Sequence, residues 1–165
     1  MDAIALFVAA ILLTHKLSLE IVFICVHLRL QINQFMESPI DRIKLSQSAK
    51  DQLTKLKRHT KIDQWNILCR WAFCRSLAEP TIPSPVPIPA DSNVELTWRV
   101  FGGEMSDILL IALKQRCHND GLSLDKETLA TQFRLHLHRG IGYLAGDPNI
   151  KKIEDLIALA IPPQS

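Results

Sequence analysis

The sequence predicts a mainly α-helical domain that begins with one short strand and assembles into an oligomer. Apolar residues recur at helical spacing in several segments, a strand-like alternation precedes them, and one helical segment is apolar on every side. The chain has 165 residues, of which 47% are hydrophobic and 22% charged. Such a chain can bury one sizeable core. We therefore expect a compact helical domain, single and continuous, over residues 36–165.

Residues 1–35 are strongly apolar but fit neither a membrane span nor a signal peptide. Polar residues interrupt the segment at Thr14, His15, Lys16 and Glu20. Neither apolar run reaches the roughly 18 to 20 residues of a membrane helix, and Asp2 stands where a signal peptide is basic. Met36 directly precedes the ordered pattern. We expect translation to start there, although a membrane-binding or partner-binding helix is the alternative if residues 1–35 are translated.

A short strand opens the domain. Arg42, Ile43, Lys44 and Leu45 alternate between polar and apolar, as in a strand with one buried face. Ile43 and Leu45 are expected to face the core, and Arg42 and Lys44 to face outward.

The next segment predicts a helix with a basic outer side. Ser46 or Ser48 caps it, and one narrow sector gathers Ala49, Leu53, Leu56 and Thr60. A second sector holds Lys50, Lys57 and Lys61, and Lys55 and Arg58 lie farther round the helix. Such a charged side favours nucleic acid, an anionic membrane or an acidic partner, and it is also typical of a solvated helix face.

Charge is concentrated in this part of the chain. Residues 37–79 hold nine Lys and Arg against five Asp and Glu, whereas residues 80–165 hold eight against ten. The formal net charge of +2 therefore conceals a basic first half of the domain.

The helix predicted over residues 64–78 is apolar on all sides. Asp63 is expected to cap it and Pro80 to end it. Its apolar residues point in nearly every direction: Trp65, Ile67, Leu68, Cys69, Trp71, Phe73, Cys74 and Leu77. A helix of this kind has to be covered all round. We expect it to lie in an oligomer interface, with burial inside one chain as the alternative, and Arg70 and Arg75 then need partners or an outlet to DNA.

A proline-rich strap at residues 80–90 separates the two halves of the domain. Five prolines within ten residues exclude a helix or a central strand. A packed extended linker is favoured over an SH3-type ligand, because no Arg or Lys flanks the prolines.

The second half reads as helical. Val94, Leu96, Trp98 and Val100 alternate as in a strand, although a helix fits nearly as well. Two clear helices follow, and a last one is expected to begin at Asn149. Their predicted apolar faces hold Met105, Ile108, Leu109, Ala112 and Leu113; Leu129, Phe133, His136, Leu137 and Tyr143; and Ile150, Ile153, Leu156, Ile157 and Ala160.

Catalytic and metal-binding patterns are weak in this sequence. His136 and His138 lie about 200° apart on a helix, and Cys69 and Cys74 about 140° apart, so neither pair can share a metal. Cys117 and His118 are adjacent and point apart on a helix. The four cysteines, Cys25, Cys69, Cys74 and Cys117, include no CxxC pair, which favours buried thiols in a reducing compartment. We therefore expect no enzyme activity, no metal and no cofactor.

A strand, a basic helix and an apolar helix in this order form the ribbon-helix-helix layout. In that layout two protomers pair their strands and place the outward side chains, here Arg42 and Lys44, against DNA. A transcriptional regulator or antitoxin is therefore one hypothesis. Regulators of this kind seldom carry a helical extension as long as residues 80–165.

Several segments together resemble the DNA sulfur modification protein DndE family. They are AKDQLTKLKRHT, WNILCRWAFCRSLAEP, IPSPVPIPADSNVE, LLIALKQRCHNDGL and TLATQFRLHLHRGIGYLA, in this order and spacing. The resemblance covers roughly residues 40–160. It implies a bacterial, cytoplasmic, non-catalytic and helical DNA-binding subunit, tetrameric in this family, of the machinery that replaces a non-bridging phosphate oxygen of DNA by sulfur.

The resemblance also implies partners and a binding surface. The partners would be double-stranded DNA, intact or nicked, together with a sulfurtransferase-like subunit and an SMC-like ATPase subunit, and no membrane. Family members are thought to meet DNA through lysines. By that pattern the foremost DNA contacts are Lys50, Lys57 and Lys61, followed by Lys55 and Arg58, with Arg42 and Lys44 on the strand.

Overall fold

The computed structural model describes Ser38 and residues 40–161 of the chain. These residues form two strands, six α-helices and one 3₁₀ turn. In chain order they are β1 (Arg42–Lys44), α1 (Gln47–Thr60), α2 (Trp65–Leu77), β2 (Glu95–Thr97), α3 (Trp98–Gly102), the 3₁₀ turn (Gly103–Met105), α4 (Ser106–Asn119), α5 (Lys126–Gly146) and α6 (Ile153–Ala158). The predicted mainly helical fold with a short first strand is confirmed.

Contacts divide the chain into two compact units, Met1–Glu37 and Ser38–Ser165. All described residues belong to the second unit. The predictions for residues 1–35, and for Cys25 among them, lie outside the described residues.

The two strands form a small antiparallel sheet in which Ile43 lies opposite Leu96. Ile43 is buried, whereas Arg42 and Lys44 are exposed, as the alternating pattern predicts. The segment from Val94 to Val100 was compatible with a strand or a helix, and it contains one of each, because β2 passes directly into α3 at Trp98.

Helix α1 begins and ends with specific caps. The Ser46 hydroxyl accepts a hydrogen bond from the N–H of Ala49 at 3.1 Å, and Lys61 closes the helix with a positive φ of 61°. The predicted inward sector is confirmed, because Ala49, Leu53, Leu56 and Thr60 are all buried.

Helix α2 packs along α5, and α3 closes one end of this pair. Phe73, Phe101 and Phe133 come from these three helices, and their ring centroids lie 5.1 to 5.7 Å apart. Trp98 packs against Phe101 and Phe133. Aromatic rings at such distances prefer the tilted and edge-to-face arrangements found here. This cluster is the centre of the core and fixes the direction of α2.

The start of α2 differs from the prediction. Gln64, not Asp63, is the N-terminal flanking residue, and it makes no side-chain cap. The Asp63 carboxylate is turned toward Lys57 instead, at 3.9 Å. Helix α2 is also not covered all round within this chain, since Trp65, Ile67 and Trp71 are half-buried and Cys74 is exposed.

The last helix also begins later than predicted, at Ile153. The Asp147 carboxylate accepts the Asn149 N–H, and the Asp155 carboxylate accepts the N–H groups of Lys151 and Lys152, so residues 147–152 are held in turns. Four residues of the predicted apolar faces, Ile108, Ile153, Ile157 and Ala160, are exposed rather than buried. Met105 and Tyr143 are exposed as well.

The strap at residues 80–90 contains neither helix nor strand, as predicted. Arginines hold it at both ends. Arg116 donates to the carbonyls of Pro80 and Thr81 at 2.9 Å each, Arg139 donates to Thr81 at 2.7 Å, and Arg134 donates to Ile88 at 2.9 Å. Between these points only Pro83 is buried. No helix formed by the described residues is both long and apolar enough to cross a membrane.

Candidate nucleic-acid interface

The candidate interface is the outer side of α1. We call Lys50, Lys57, Arg58 and Lys61 the basic face. The opposite side of the helix is in the core, since Leu53 is fully buried. The four cations therefore follow one side of a helix whose other side cannot be exposed without unfolding.

Both ends of α1 are fixed to distant parts of the chain. The N–H of Ser46 donates to Nε2 of His138 at 3.2 Å, and the N–H of Gln47 donates to the Asp91 carboxylate at 2.8 Å. Near the other end, Nδ1 of His59 lies 3.2 Å from the Ile150 carbonyl oxygen. The first two bonds satisfy backbone N–H groups that a helix start leaves unpaired, and all three hold the basic face in one orientation.

Two members of the basic face have light restraints. Nζ of Lys50 donates to the Asn93 side-chain oxygen at 2.8 Å. Nζ of Lys57 lies 3.9 Å from the Asp63 carboxylate and 5.2 Å from the centre of the Trp65 ring. The Asp63 side chain is 93% exposed, and ion pairs this exposed contribute little. Both ammonium groups can therefore exchange these partners for a phosphate.

Arg58 and Lys61 are exposed. Within the described part of the chain, neither side chain makes a hydrogen bond or an ion pair. Both cations are therefore accessible from solvent to an anion such as a phosphate.

The structure does not bring Lys55 to the basic face. Its ammonium donates to the Ala145 carbonyl at 2.8 Å, at the carboxyl end of α5. A cation is favourable at this end of a helix dipole. Lys55 was predicted as a DNA contact from its position on the helix, and its observed contact is with α5.

Arg42 and Lys44 lie on the outer side of β1, beside the start of α1. Arg42 pairs with Glu95 across the sheet at 3.2 Å, and both side chains are well exposed. Lys44 also lies opposite Glu95 in the strand register. Because Asn93 contacts Lys50 only two residues before Glu95, the strand cations lie next to the first turn of the basic face.

A cleft follows the basic face at the carboxyl end of α1. We call it the α1 end cleft. Its volume is about 380 Å³, and its lining consists of Thr54, Lys57, Arg58, Lys61, Asp63 and Trp65. Sequence reasoning assigned Trp65 to an oligomer interface and did not connect it with the lysines.

A second surface, which we call the apolar groove, lies between α2 and the start of α4. It has a volume of about 670 Å³ and is lined by Ile67, Arg70, Trp71, Cys74, Glu104, Met105 and Leu109. Ile108 and Ile111 of α4 are also exposed, by 59% and 46%. Arg70 is not free for DNA, because it donates to the Gly102 carbonyl at 3.1 Å. Arg75 lies near Glu79 and over the Tyr143 ring.

The histidines of α5 have structural partners. His136 is fully buried, with Nδ1 3.0 Å from the Ser76 hydroxyl, and burial together with nearby Arg139 and Arg116 lowers its pKa to about 4. Nδ1 of His138 lies 2.9 Å from the Arg134 carbonyl, which leaves Nε2 to accept the Ser46 N–H. The prediction that His136 is a core histidine is confirmed.

The three cysteines in the described part of the chain, Cys69, Cys74 and Cys117, are free thiols. Cys69 and Cys117 are buried as predicted, whereas Cys74 is exposed, which corrects the prediction. Burial raises the pKa of Cys69 to about 12 and that of Cys117 to about 11, so both thiols are protonated at neutral pH. Among residues 40–161, no three His, Cys, Asp or Glu side chains are grouped so that they could hold a metal ion.

Solved structures of similar proteins match this fold. A DndE mutant involved in DNA phosphorothioation matches with a TM-score of 0.52 and 28% sequence identity, over 65% of this chain and 98% of that one. DndE from Escherichia coli B7A, involved in DNA phosphorothioation modification, matches with a TM-score of 0.54 and 30% identity, over 63% of this chain and 95% of that one.

Sequence comparison gives the same answer. A search of curated proteins finds no significant match. The family model for the DNA sulphur modification protein DndE matches residues 42–152, which include both strands, the basic helix and the strap. The chain therefore belongs to the DndE family of DNA sulphur modification proteins.

Proposed function

We propose that this chain is a non-catalytic, DNA-binding subunit of the DNA phosphorothioation system. In this proposal the basic face of α1 holds backbone phosphates of double-stranded DNA, intact or nicked, while other subunits carry out the sulfur chemistry. The observation that carries the proposal is the basic face itself: four cations on the exposed side of a helix that is fixed at both ends.

The dimensions of the basic face suit a DNA strand. The distance from Lys50 to Lys61 corresponds to about 16 Å along an α-helix. Phosphates of one strand follow each other at about 3.4 Å along the duplex axis. The face is thus long enough for four cations to meet separate phosphates. Lysine ammonium groups on flexible stems suit such point contacts.

Phosphate binding is favoured over the ribbon-helix-helix regulator hypothesis. A ribbon-helix-helix regulator pairs its first strand with the same strand of a second protomer, and the paired strands read bases. Here β1 pairs with β2 of its own chain, and Arg42 is engaged with Glu95. These contacts support a role for the strand cations at the edge of a phosphate-binding surface.

Assembly is the second part of the proposal. The apolar groove and the exposed isoleucines of α4, Ile108 and Ile111, together form an apolar surface. Apolar surfaces of this kind mark interaction sites. We propose that copies of this chain meet there in a homo-oligomer, a tetramer as the family resemblance implies. The oligomer would work in the bacterial cytoplasm with the sulfurtransferase-like and SMC-like ATPase subunits.

Fluorescence anisotropy with labelled duplex DNA tests the DNA-binding role. Replacing Lys50, Lys57 and Lys61 together by Gln should weaken binding at least about tenfold at low salt, and by a similar factor for unrelated sequences, since phosphate contacts carry no base information. The matched control replaces three other exposed lysines, Lys126, Lys151 and Lys152, by Gln. It changes the net charge equally and should retain most of the affinity. Equal loss in both variants would contradict the proposed face.

A further inference from the structure

We infer that the α1 end cleft binds one unpaired nucleotide of the DNA, with the base against Trp65 and its phosphate on Lys61 and Arg58. The inference rests on the proposed DNA binding. It adds to the phosphate-binding face a contact that distinguishes unpaired from paired DNA.

The lining of the cleft combines the groups that a nucleotide needs. Lys57, Arg58 and Lys61 supply three positive charges against the one negative charge of Asp63, and Trp65 supplies an aromatic surface. The Thr54 hydroxyl donates to the Lys50 carbonyl and can still accept a hydrogen bond. The volume of about 380 Å³ falls within the range of small-molecule pockets. Phosphates along a paired duplex require neither a cleft nor an aromatic side chain, whereas single-stranded DNA is bound by a basic groove with aromatic rings on which bases stack.

Trp65 differs from the other tryptophans in its surroundings. Trp98 is buried in the aromatic cluster, and Trp71 lines the apolar groove. Trp65 opens α2 next to the basic face, half-buried, with the Lys57 ammonium 5.2 Å from the ring centre. Trp65 packs against the core, and among the described residues the Lys57 ammonium lies over its ring.

A base can displace that lysine. The Lys57 side chain is 27% exposed and the Asp63 side chain 93% exposed, and a cation–π contact and an ion pair at such partly exposed sites are each worth roughly a tenfold change in an equilibrium constant or less. Stacking one base on an aromatic side chain is worth about five- to a hundredfold. The displaced Lys57 ammonium stays near the phosphate of the bound nucleotide, so its charge is used again.

The backbone at Lys61 also favours this arrangement. Lys61 ends α1 in the left-handed conformation, where glycine is the usual residue. A lysine at this position places a positive charge at the mouth of the cleft.

The experiment compares three labelled DNAs with the full-length protein at one salt concentration. The first is an intact duplex, the second carries a short single-stranded thymidine tail, and the third carries a tail of equal length in which the bases are absent but the phosphates remain. The wild type should bind the thymidine tail about tenfold more tightly than the abasic tail. Trp65→Leu should abolish this ratio, and Trp65→Phe should keep part of it.

Three results of this experiment would overturn the inference that the cleft binds an unpaired nucleotide. Equal affinity of the wild type for the two tails would overturn the inference while leaving the phosphate-binding face in place, and this comparison does not depend on any variant folding. A base preference that persists in folded Trp65→Leu would also overturn it, because the base would then stack elsewhere. Failure to bind all three DNAs would overturn the proposed function and the inference together.

Discussion

A Cβ atom placed on Gly140 would lie 1.8 Å from the carbonyl oxygen of Ala72. The backbones of α5 and α2 are therefore in direct contact at this point. No side chain of any size fits there, and the neighbouring atom is backbone that cannot rotate away. This contact fixes the spacing of the two helices that carry most of the core.

Gly140→Ala should therefore destabilise the protein strongly. Overpacking a core commonly costs about 1 to 3 kcal/mol, and a clash with backbone should reach or exceed the upper end of that range. Urea unfolding measures the loss. Gly142→Ala is the matched control in the same helix, because a Cβ atom there meets nothing within 4 Å. This variant should be more stable than the wild type by roughly 0.5 to 1 kcal/mol. Similar stability of the two variants would contradict the close approach.

Stability should fall as the pH falls below about 6.5. Burial, followed by the charges of Arg139 and Arg116, lowers the pKa of His136 from 6.5 to about 4. The unfolded chain therefore takes up a proton before the folded chain does. The contribution of neutral His136 to the free energy of unfolding is fully present above pH 6.5. It is lost as the pH falls from 6.5 to about 4, and the loss is roughly 3 kcal/mol at most.

Urea unfolding between pH 4.5 and 7.5 measures this dependence. His136→Gln should reduce the slope, and part of it should remain because burial lowers the pKa of His138 as well. A wild-type profile without slope in this range would show that His136 titrates normally in the folded protein.

Arg116 should be essential for holding the strap. Its guanidinium pairs with Asp120 at 2.8 Å and donates to the carbonyls of Leu77, Glu79, Pro80 and Thr81. Lysine cannot reproduce this fork of donors. Arg116→Lys should cost about 2 kcal/mol and speed proteolytic cleavage within residues 80–90.

The exposed Arg75 provides the comparison, since its ion pair with Glu79 is 3.8 Å long and partly exposed. Arg75→Lys should change stability by less than about 0.5 kcal/mol. If the protease cleaves the Arg116→Lys variant no faster than the Arg75→Lys variant, other contacts hold the strap.

The apolar groove should mediate self-assembly. Ile108→Glu puts a charge on a side chain that is 59% exposed within the chain, so it should leave the fold intact but dissociate an oligomer that buries this surface. Trp71→Glu should dissociate the oligomer and also cost stability. Light scattering measures the assembly state. Ile82→Glu in the strap, 53% exposed, should leave the oligomer intact, and a monomeric wild type would refute the assembly proposal.

Local patterns predicted the elements well because short-range spacing determines them. The four buried residues of α1 recur at helical spacing, and the buried Ile43 between two exposed cations follows strand alternation. The positions that periodicity misplaced, such as Ile108 and Ile153, lie on helices whose outer sides remain apolar. Periodicity identifies an apolar side and does not reveal what covers it.

Local sequence patterns do not predict contacts between residues that are far apart in the chain. Lys55 reaches the carbonyl of Ala145, 90 positions away, and Trp65 meets Lys57 only because α1 and α2 turn sharply at Lys61. No spacing rule connects such residues. The sequence pattern therefore indicates which side of α1 is basic, whereas the contact of Lys55 with α5 and the cleft beside Trp65 are visible only in the three-dimensional structure. The DNA contacts of the basic face stay a prediction.

The salt dependence of duplex binding tests the central claim most directly. Each lysine that neutralises a phosphate releases counterions, so the plot of log affinity against log salt concentration has a slope of about −0.9 per contact. The wild type and the Lys50→Gln, Lys57→Gln, Lys61→Gln triple variant should be compared on one duplex. The slope of the triple variant should be shallower by roughly two to three units. An unchanged slope in a correctly folded triple variant would show that the basic face is only solvated and does not contact DNA.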